Sequence, residues 1–335
     1  MTEADFTWRD GERTIHFRAG VIGDSPEILA GHGWDSYELL TTERAMGAAP
    51  VGLAEDAAAF HHVPPGPVND VSARVIGDGS GLNLVALGGG RVIDVAKAIA
   101  AVRGGRVAAL PTTLSGAEMT RIHRLPADRE AADGLIRPEV VFADPPVMVT
   151  LPEDRLRASA MNALAHGADS LYTPLANPVS ELAALRGAKL IAAALDTPRA
   201  KRDAASLARG SILCAYAIDS ALFALHHVVC QTLVRTLRVP HAETNATMLP
   251  HTMEAMRPRA GKAMTALARA LGVKQGDLAK RIVTLGGGRR RLSDYGADRA
   301  AIGEALKGML SRPELRMTPQ PPDEAELRAL VEAAW

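Results

Sequence analysis

The stretch Leu84-Val85-Ala86-Leu87-Gly88-Gly89-Gly90-Arg91-Val92-Ile93-Asp94-Val95-Ala96-Lys97 decides the fold. A short apolar run enters three glycines, and an Ala- and Val-rich segment with helical character follows at once. Apolar runs of this length bounded by glycine read as buried strands. Glycines let a backbone approach a pyrophosphate closely, and a helix start offers free N–H groups and the positive end of its dipole. A glycine triplet alone serves a plain turn equally well. The strand before it and the helix after it tip the reading towards phosphate. The pattern is neither GxGxxG nor a Walker loop.

Outward from this block the same alternation recurs. Tyr37 to Thr41, Val107 to Leu110 and Val140 to Ala143 are strand candidates, and Thr14 to Phe17 is a weaker opening one. Ala-rich segments such as Asp94 to Val102 lie between them. Strands alternating with helices imply βαβ units and a parallel sheet. Pro111-Thr112-Thr113-Leu114-Ser115-Gly116-Ala117-Glu118-Met119-Thr120 follows one such strand directly. Ligands of open α/β sheets lie beyond the carboxyl ends of strands. These hydroxyls suit a ribose, a phosphate or a nicotinamide amide, and equally a plain capped helix start.

The pattern changes near Thr150. Thr150-Leu151-Pro152-Glu153 has the form of a capping box, and no strand alternation follows it to Trp335. Helical periodicity is expected over 153–172, 178–195, 201–222, 224–236, 243–256, 260–271, 276–284, 298–309 and 323–334. The domains are therefore expected at 1–149, α/β, and 150–335, all-helical. Gly286-Gly287-Gly288 reads as a connector, and Arg289-Arg290-Arg291 as a solvated turn.

Composition bounds the rest. The 335 residues are 47% hydrophobic and 23% charged, which argues against disorder. Lys plus Arg and Asp plus Glu number 38 each, so no net charge draws the chain to nucleic acid or to an anionic membrane. Two cysteines, Cys214 and Cys230, exclude a disulfide scaffold. Met1 to Asp10 is polar and acidic, unlike a signal peptide, and no apolar stretch approaches the ~20 residues of a membrane span. A cytoplasmic protein is expected, with no nucleic-acid or membrane partner.

The helical half carries the imidazoles. Asn162 and His166 lie four apart on one helix face, His226 and His227 precede Gln231, and His241 and His251 each follow a proline. Histidines so spread can converge on a metal or an anionic substrate, or they can be unrelated structural residues.

Together these blocks resemble the iron-containing (group III) alcohol dehydrogenase superfamily, and more closely its maleylacetate reductase branch. The segments that carry the likeness are the glycine block to Lys97, Pro111 to Thr120, Ser159 to His166, Leu225 to Cys230, and Pro240 to Thr244 with Leu249-Pro250-His251. The resemblance implies a dehydroquinate synthase-like fold: a Rossmann-like α/β domain with a parallel sheet, then an all-α domain. It implies that Gly88, Gly89, Gly90, Asp94 and Lys97 hold the pyrophosphate region of NADH or NADPH. Thr112, Thr113 and Ser115 would line the nicotinamide side, and Thr41 and Thr42 would meet the adenosine ribose. NAD-selective relatives carry Asp where Thr42 falls, so either cofactor remains open, with Arg44 nearby.

Metal-dependent relatives use one Asp and three His. The matching positions are Asn162, His166, His227 and His241, and the neutral Asn leads us to expect no obligatory metal. The histidines His166, His227 and His241 are then the expected catalytic groups, with Asn162, Gln231 and Arg235 binding a small carboxylate substrate. Gln231 stands where the family tends to have His, and Arg235 where relatives have glycine. Arg91 replaces a small hydroxyl residue. The expected reaction is hydride transfer to an enone acid, maleylacetate to 3-oxoadipate, in a homodimer. A metal-free reductase of another oxo-acid, aldehyde or biosynthetic intermediate, a lyase or cyclase of the dehydroquinate synthase type and a non-catalytic nucleotide or partner binder remain open.

Overall fold

The computed structural model describes residues 13–77, 83–131 and 134–335. The reading of Met1 to Asp10 lies outside the described residues. The chain divides at Leu151/Pro152 into two compact units, each taken by itself below.

The first unit is an α/β layer structure. Its elements are β1 (Thr14–Phe17), α1 (Ser25–Gly31), β2 (Tyr37–Thr41), α2 (Glu43–Met46), β3 (Ala57–His62), α3 (Val68–Val75), β4 (Asn83–Gly88), α4 (Gly90–Arg103), β5 (Val107–Pro111), β6 (Val140–Ala143) and α5 (Pro145–Met148). The six strands form one sheet in the order β1-β6-β5-β4-β2-β3, and every pairing is parallel. Parallel sheets are covered on both faces, so the inner strands β4, β5 and β6 are buried and almost wholly apolar. The period of two sorts the side chains. Leu40, Leu84, Ala86, Val107 and Ala109 meet Val71 of α3 and Val92, Val95 and Ile99 of α4. Leu39, Val85, Leu87, Ala108, Leu110 and Phe142 point the other way, onto Leu29 of α1 and Trp34.

This topology creates a switch point. From β2 the chain moves outward to β3, whereas from its neighbour β4 it moves through α4 to β5 on the opposite side. A crevice opens at the carboxyl ends of two such strands. Those ends carry Thr41-Thr42 and Gly88-Gly89-Gly90.

The second unit is all-helical: α6 (Glu153–Ser170), α7 (Pro178–Asp196), α8 (Ala204–Ala221), α9 (Leu225–Leu237), α10 (His241–Met256), α11 (Gly261–Ala270), α12 (Leu278–Leu285), α13 (Ile302–Leu310) and α14 (Glu324–Ala333). It contains no strand among the described residues. Helices α6, α7 and α8 approach closely because small residues face one another. A Cβ on Gly187 would lie 2.7 Å from the Gly210 carbonyl oxygen and 2.6 Å from Cys214 Sγ. Burial pushes the Cys214 thiol up to about 12, so this cysteine is an inert packing residue.

Two local readings are corrected. Thr150 caps no helix: its hydroxyl donates to Val147 O, α6 begins after Pro152, and Glu153 instead pairs with Arg157 and Arg202. Arg290 is not merely solvated, since it donates to Asp154 O and Gly286 O and so ties the glycine connector to α6. No single described helix is long and apolar enough to cross a membrane; α8 and α9 together pass on length and composition but meet at 100°.

Candidate active site

The phosphate cradle is built by β4 and α4. Gly89 is the N-cap of α4 and supplies no side-chain cap, so the first N–H groups of this 14-residue helix have no side-chain acceptor there. The glycines are required by space. A Cβ on Gly88 would lie 2.6 Å from Val92 Cγ2, and one on Gly90 would lie 2.8 Å from Ser115 Cβ. Thr113 Cγ2 stands 3.1 Å from the equivalent point on Gly89. The loop after β5 therefore closes directly over the glycine turn. Bare backbone donors beside the hydroxyls of Thr113 and Ser115 fit a dinucleotide, whose bound nicotinamide ring would supply the hydride.

Several expected cofactor residues are spent differently. Lys97 is corrected: its ammonium is fully buried, donates to the carbonyls of Ala117, Thr120 and Ile122, and pairs with Asp94 at 2.7 Å. It anchors the loop that carries Thr112, Thr113 and Ser115. Asp94 accordingly faces Lys97 from the first turns of α4. Thr41 is also fully buried, and its hydroxyl donates to Leu87 O across the β2–β4 pair. Thr42 caps α2 by accepting from Ala45 N. Arg44 reaches towards Thr112 Oγ1 at 3.5 Å. Glu118, which the sequence reading did not single out, is fully buried in the same loop with both carboxylate oxygens unpartnered. Burial pushes its carboxyl up to about 7, against the opposing charges of Lys97 and Arg13 and reinforced by Asp94.

The helical unit holds the second constellation, and its centre is a residue missed in the sequence: Asp169. Helix α9 starts without a capping side chain, so its first N–H groups need remote acceptors. Asp169, from the end of α6, provides them. Its carboxylate accepts from the backbone N–H of Ala224 (3.1 Å), His226 (3.3 Å) and His227 (3.1 Å), and from the Tyr172 hydroxyl. It also accepts from His227 Nδ1 at 2.8 Å. The corner that aims these donors passes through Leu222, at φ 58°, a region that costs a non-glycine residue strain. Burial alone would raise the Asp169 carboxyl, but the His227 hydrogen bond and the neighbouring imidazoles outweigh it and bring it down to about 2. Asp169 is thus a carboxylate that fixes the His227 tautomer with hydrogen on Nδ1. His227 Nε2 is buried and has no hydrogen-bond partner.

The neighbouring imidazoles take distinct roles. His166 stacks on His227 with ring centres 5.0 Å apart and 19° between planes, and its Nδ1 is also buried and unpartnered. Burial, then the charges of His227, His241 and His226, hold His166 well below the ordinary range, so it is neutral. Asn162 lies one turn before His166 on the same buried face of α6. His226 points away into the core, between Thr252 Oγ1 (2.8 Å) and Asn245 Oδ1 (2.9 Å). Burial, with His227, pulls it down to about 3, so it is a structural neutral ring. His241 is exposed at the first turn of α10, within 3.4 Å of Asn245 Nδ2. Gln231 lies one turn beyond His227 and accepts from Arg312. Arg235 is corrected: it is exposed one turn further along and lies against Gly308 of α13, away from the stacked imidazoles.

His227 Nε2 and His166 Nδ1 are buried nitrogens without a hydrogen-bond partner, on rings whose centres lie 5.0 Å apart, and are the atoms that would face a divalent ion held here. Asn162 adds only a neutral oxygen. Among the described residues no three His, Cys, Asp or Glu side chains converge as metal ligands.

A parallel sheet with a glycine-turn phosphate cradle, joined in one chain to a helical unit bearing clustered imidazoles, defines a dinucleotide-dependent class of enzyme. The profile of the Fe-containing alcohol dehydrogenase family, C-terminal, matches residues 157–335. A maleylacetate reductase of Burkholderia cepacia is 35% identical over 269 residues, 75% of this chain and 73% of the relative. One of Sphingobium indicum is 32% identical over 319 residues, 89% of each. The crystal structure of maleylacetate reductase from Agrobacterium tumefaciens superposes with a TM-score of 0.85 at 26% identity, covering 99% of this chain and 98% of that one. The chain belongs to the iron-containing alcohol dehydrogenase family, in its maleylacetate reductase branch, and is an oxidoreductase.

Proposed function

We propose that this oxidoreductase uses NADH or NADPH to reduce the C=C bond of an enone diacid, maleylacetate, to 3-oxoadipate. The observation that carries the reading is the buried Asp169–His227 pair stacked on neutral His166. Hydride arrival at the carbon β to the ketone builds negative charge on the enolate oxygen. That charge needs preorganised donors out of water. Asp169 holds Nδ1–H, so a second proton taken up from solvent would sit on Nε2, and the imidazolium, balanced by the Asp169 carboxylate, would pass it to the enolate. The neutral ring of His166 walls one face of His227 and keeps water out. His241, nearer the surface, suits proton exchange with solvent.

The neutral oxygen of Asn162, a weaker ligand than a carboxylate, supports turnover without an obligatory metal. Thr42, where NAD-selective relatives carry a carboxylate, removes repulsion of a 2′-phosphate, and Arg44 close by favours NADPH use alongside NADH. Two buried free cysteines suit a reducing cytoplasm. The outer edge of β1, with Ile15 partly exposed, offers a surface for a homodimer.

The test is a cofactor-oxidation screen with NADH and NADPH against maleylacetate, other enone acids and simple aldehydes, on protein before and after chelator dialysis. Turnover of maleylacetate far above the aldehydes, unchanged by chelation, is the expected outcome. Turnover confined to aldehydes, or abolished by chelation and restored by iron or zinc, sinks the proposal.

A further inference from the structure

Gln231, one turn after His227 on α9, is not the end of the polar surface around the imidazoles. Its Oε1 accepts from Arg312 Nη1 at 2.8 Å, 81 residues away in the chain. Glu314 grips the same guanidinium from the other side, Oε2 on Nε at 3.2 Å and Oε1 on Nη2 at 3.0 Å. The guanidinium lies over the Phe223 ring, 5.5 Å from its centre, and that ring lies 5.7 Å from the centre of His227. Only 16% of the Arg312 side chain is exposed.

We propose that Arg312 is a specificity-determining residue that receives one terminal carboxylate of the substrate. The inference rests on the enone-diacid reading above. A guanidinium has five N–H donors. Three are spent on Gln231 and Glu314, and the remaining two, one on each terminal nitrogen, have no partner among the described residues. Two such donors match the two oxygens of a carboxylate, and a largely desolvated fork is already oriented for them. Phe223 borders both groups, with the guanidinium 5.5 Å and the His227 ring 5.7 Å from its centre, so cation and imidazole share one apolar neighbour. Gln231 takes one N–H with a neutral amide and Glu314 balances the charge, so recognition rests on the fixed direction of the two remaining N–H donors.

Steady-state kinetics of the full chain test this, with maleylacetate and with its two monomethyl esters. Arg312→Gln is expected to raise the KM for maleylacetate about 30-fold or more with kcat within about threefold. For one monoester, which lacks the carboxylate that Arg312 binds, KM should move less than about threefold. Arg312→Lys, which keeps the charge but loses the fork, should fall between wild type and Arg312→Gln. Should Arg312→Gln lose its cooperative thermal transition, Arg312→Lys alone still decides, by a KM rise for the diacid that one ester does not share. An unchanged KM for the diacid, or equal rises for the diacid and both esters, overturns the inference. Failure of the wild-type protein to turn over the diacid at all overturns the functional reading beneath it, a different result from wild-type turnover with insensitive Arg312 variants.

Discussion

Replacing Asp169 by Asn should cost both stability and activity, and the size of each loss follows from its partners. The carboxylate accepts from three backbone N–H groups, the Tyr172 hydroxyl and His227 Nδ1. Its fall from 3.8 to about 2 corresponds to roughly 2.5 kcal/mol at neutral pH. An amide keeps one acceptor oxygen but turns an NH₂ towards donors, leaving at least one buried N–H unsatisfied at about 1–3 kcal/mol. The sum is about 3.5–5.5 kcal/mol, close to the range of other broken buried charge pairs. The sign with pH is fixed as well. A lowered carboxyl stabilises above its unfolded value, so the contribution is intact above about pH 4 and lost as pH falls from about 4 towards 2. Urea unfolding of the two proteins at pH 7 and through the acid range measures this. The variant should unfold earlier at pH 7, and the gap should close in acid. With its tautomer released, His227 should also lose about 10²-fold in kcat/KM. Equal midpoints at pH 7, with unchanged kinetics, would refute the assignment of Asp169 as the residue that both caps α9 and orients His227.

Other outcomes follow from the same geometry. Glu118→Gln should stabilise the protein above pH 7 by up to about 3 kcal/mol, because a raised carboxyl loses stability as pH climbs from about 4.5 to about 7. Thermal melts across that range should slope for wild type and flatten for the variant. Gly187→Ala should destabilise by about 1–3 kcal/mol, since its Cβ would meet the Gly210 carbonyl at 2.7 Å; a neutral melting temperature would contradict the close packing of α7 on α8. His226→Asn should lower stability while leaving KM for substrate nearly unchanged, in contrast to His227→Ala, which should lower kcat/KM by ~2 kcal/mol or more.

The middle of the parallel sheet was legible because β4, β5 and β6 are apolar and buried, and β4 and β5 end in glycine and proline. Strand β3 was missed. Its Ala57-Ala58-Ala59-Phe60-His61-His62 alternates between half-buried and exposed at the sheet edge, and small residues give little hydrophobic signal. The glycine turn and its partner loop were legible as a cradle, yet sequence adjacency grouped Lys97 with the phosphate when burial turned it to carbonyls. In the helical unit the imidazoles were visible one by one, but which pair stacked was not. His226 and His227 adjoin in sequence and face different surroundings, because successive helical residues point about 100° apart. Asp169 left one readable signal: Phe223-Ala224 precedes α9 with no capping side chain, so an acceptor had to come from elsewhere. Arg312 left none, since only the packing of the turn after α13 beside α9 brings it to Gln231.

In the proposed reaction hydride reaches the alkene carbon β to the ketone of an enone diacid. Incubating the protein with maleylacetate and nicotinamide cofactor deuterated at the transferring position, then locating the label in the product by NMR, tests it most directly. Deuterium on the former alkene carbon β to the ketone of 3-oxoadipate is the predicted result. Deuterium on a carbinol carbon, the mark of carbonyl reduction, would contradict it.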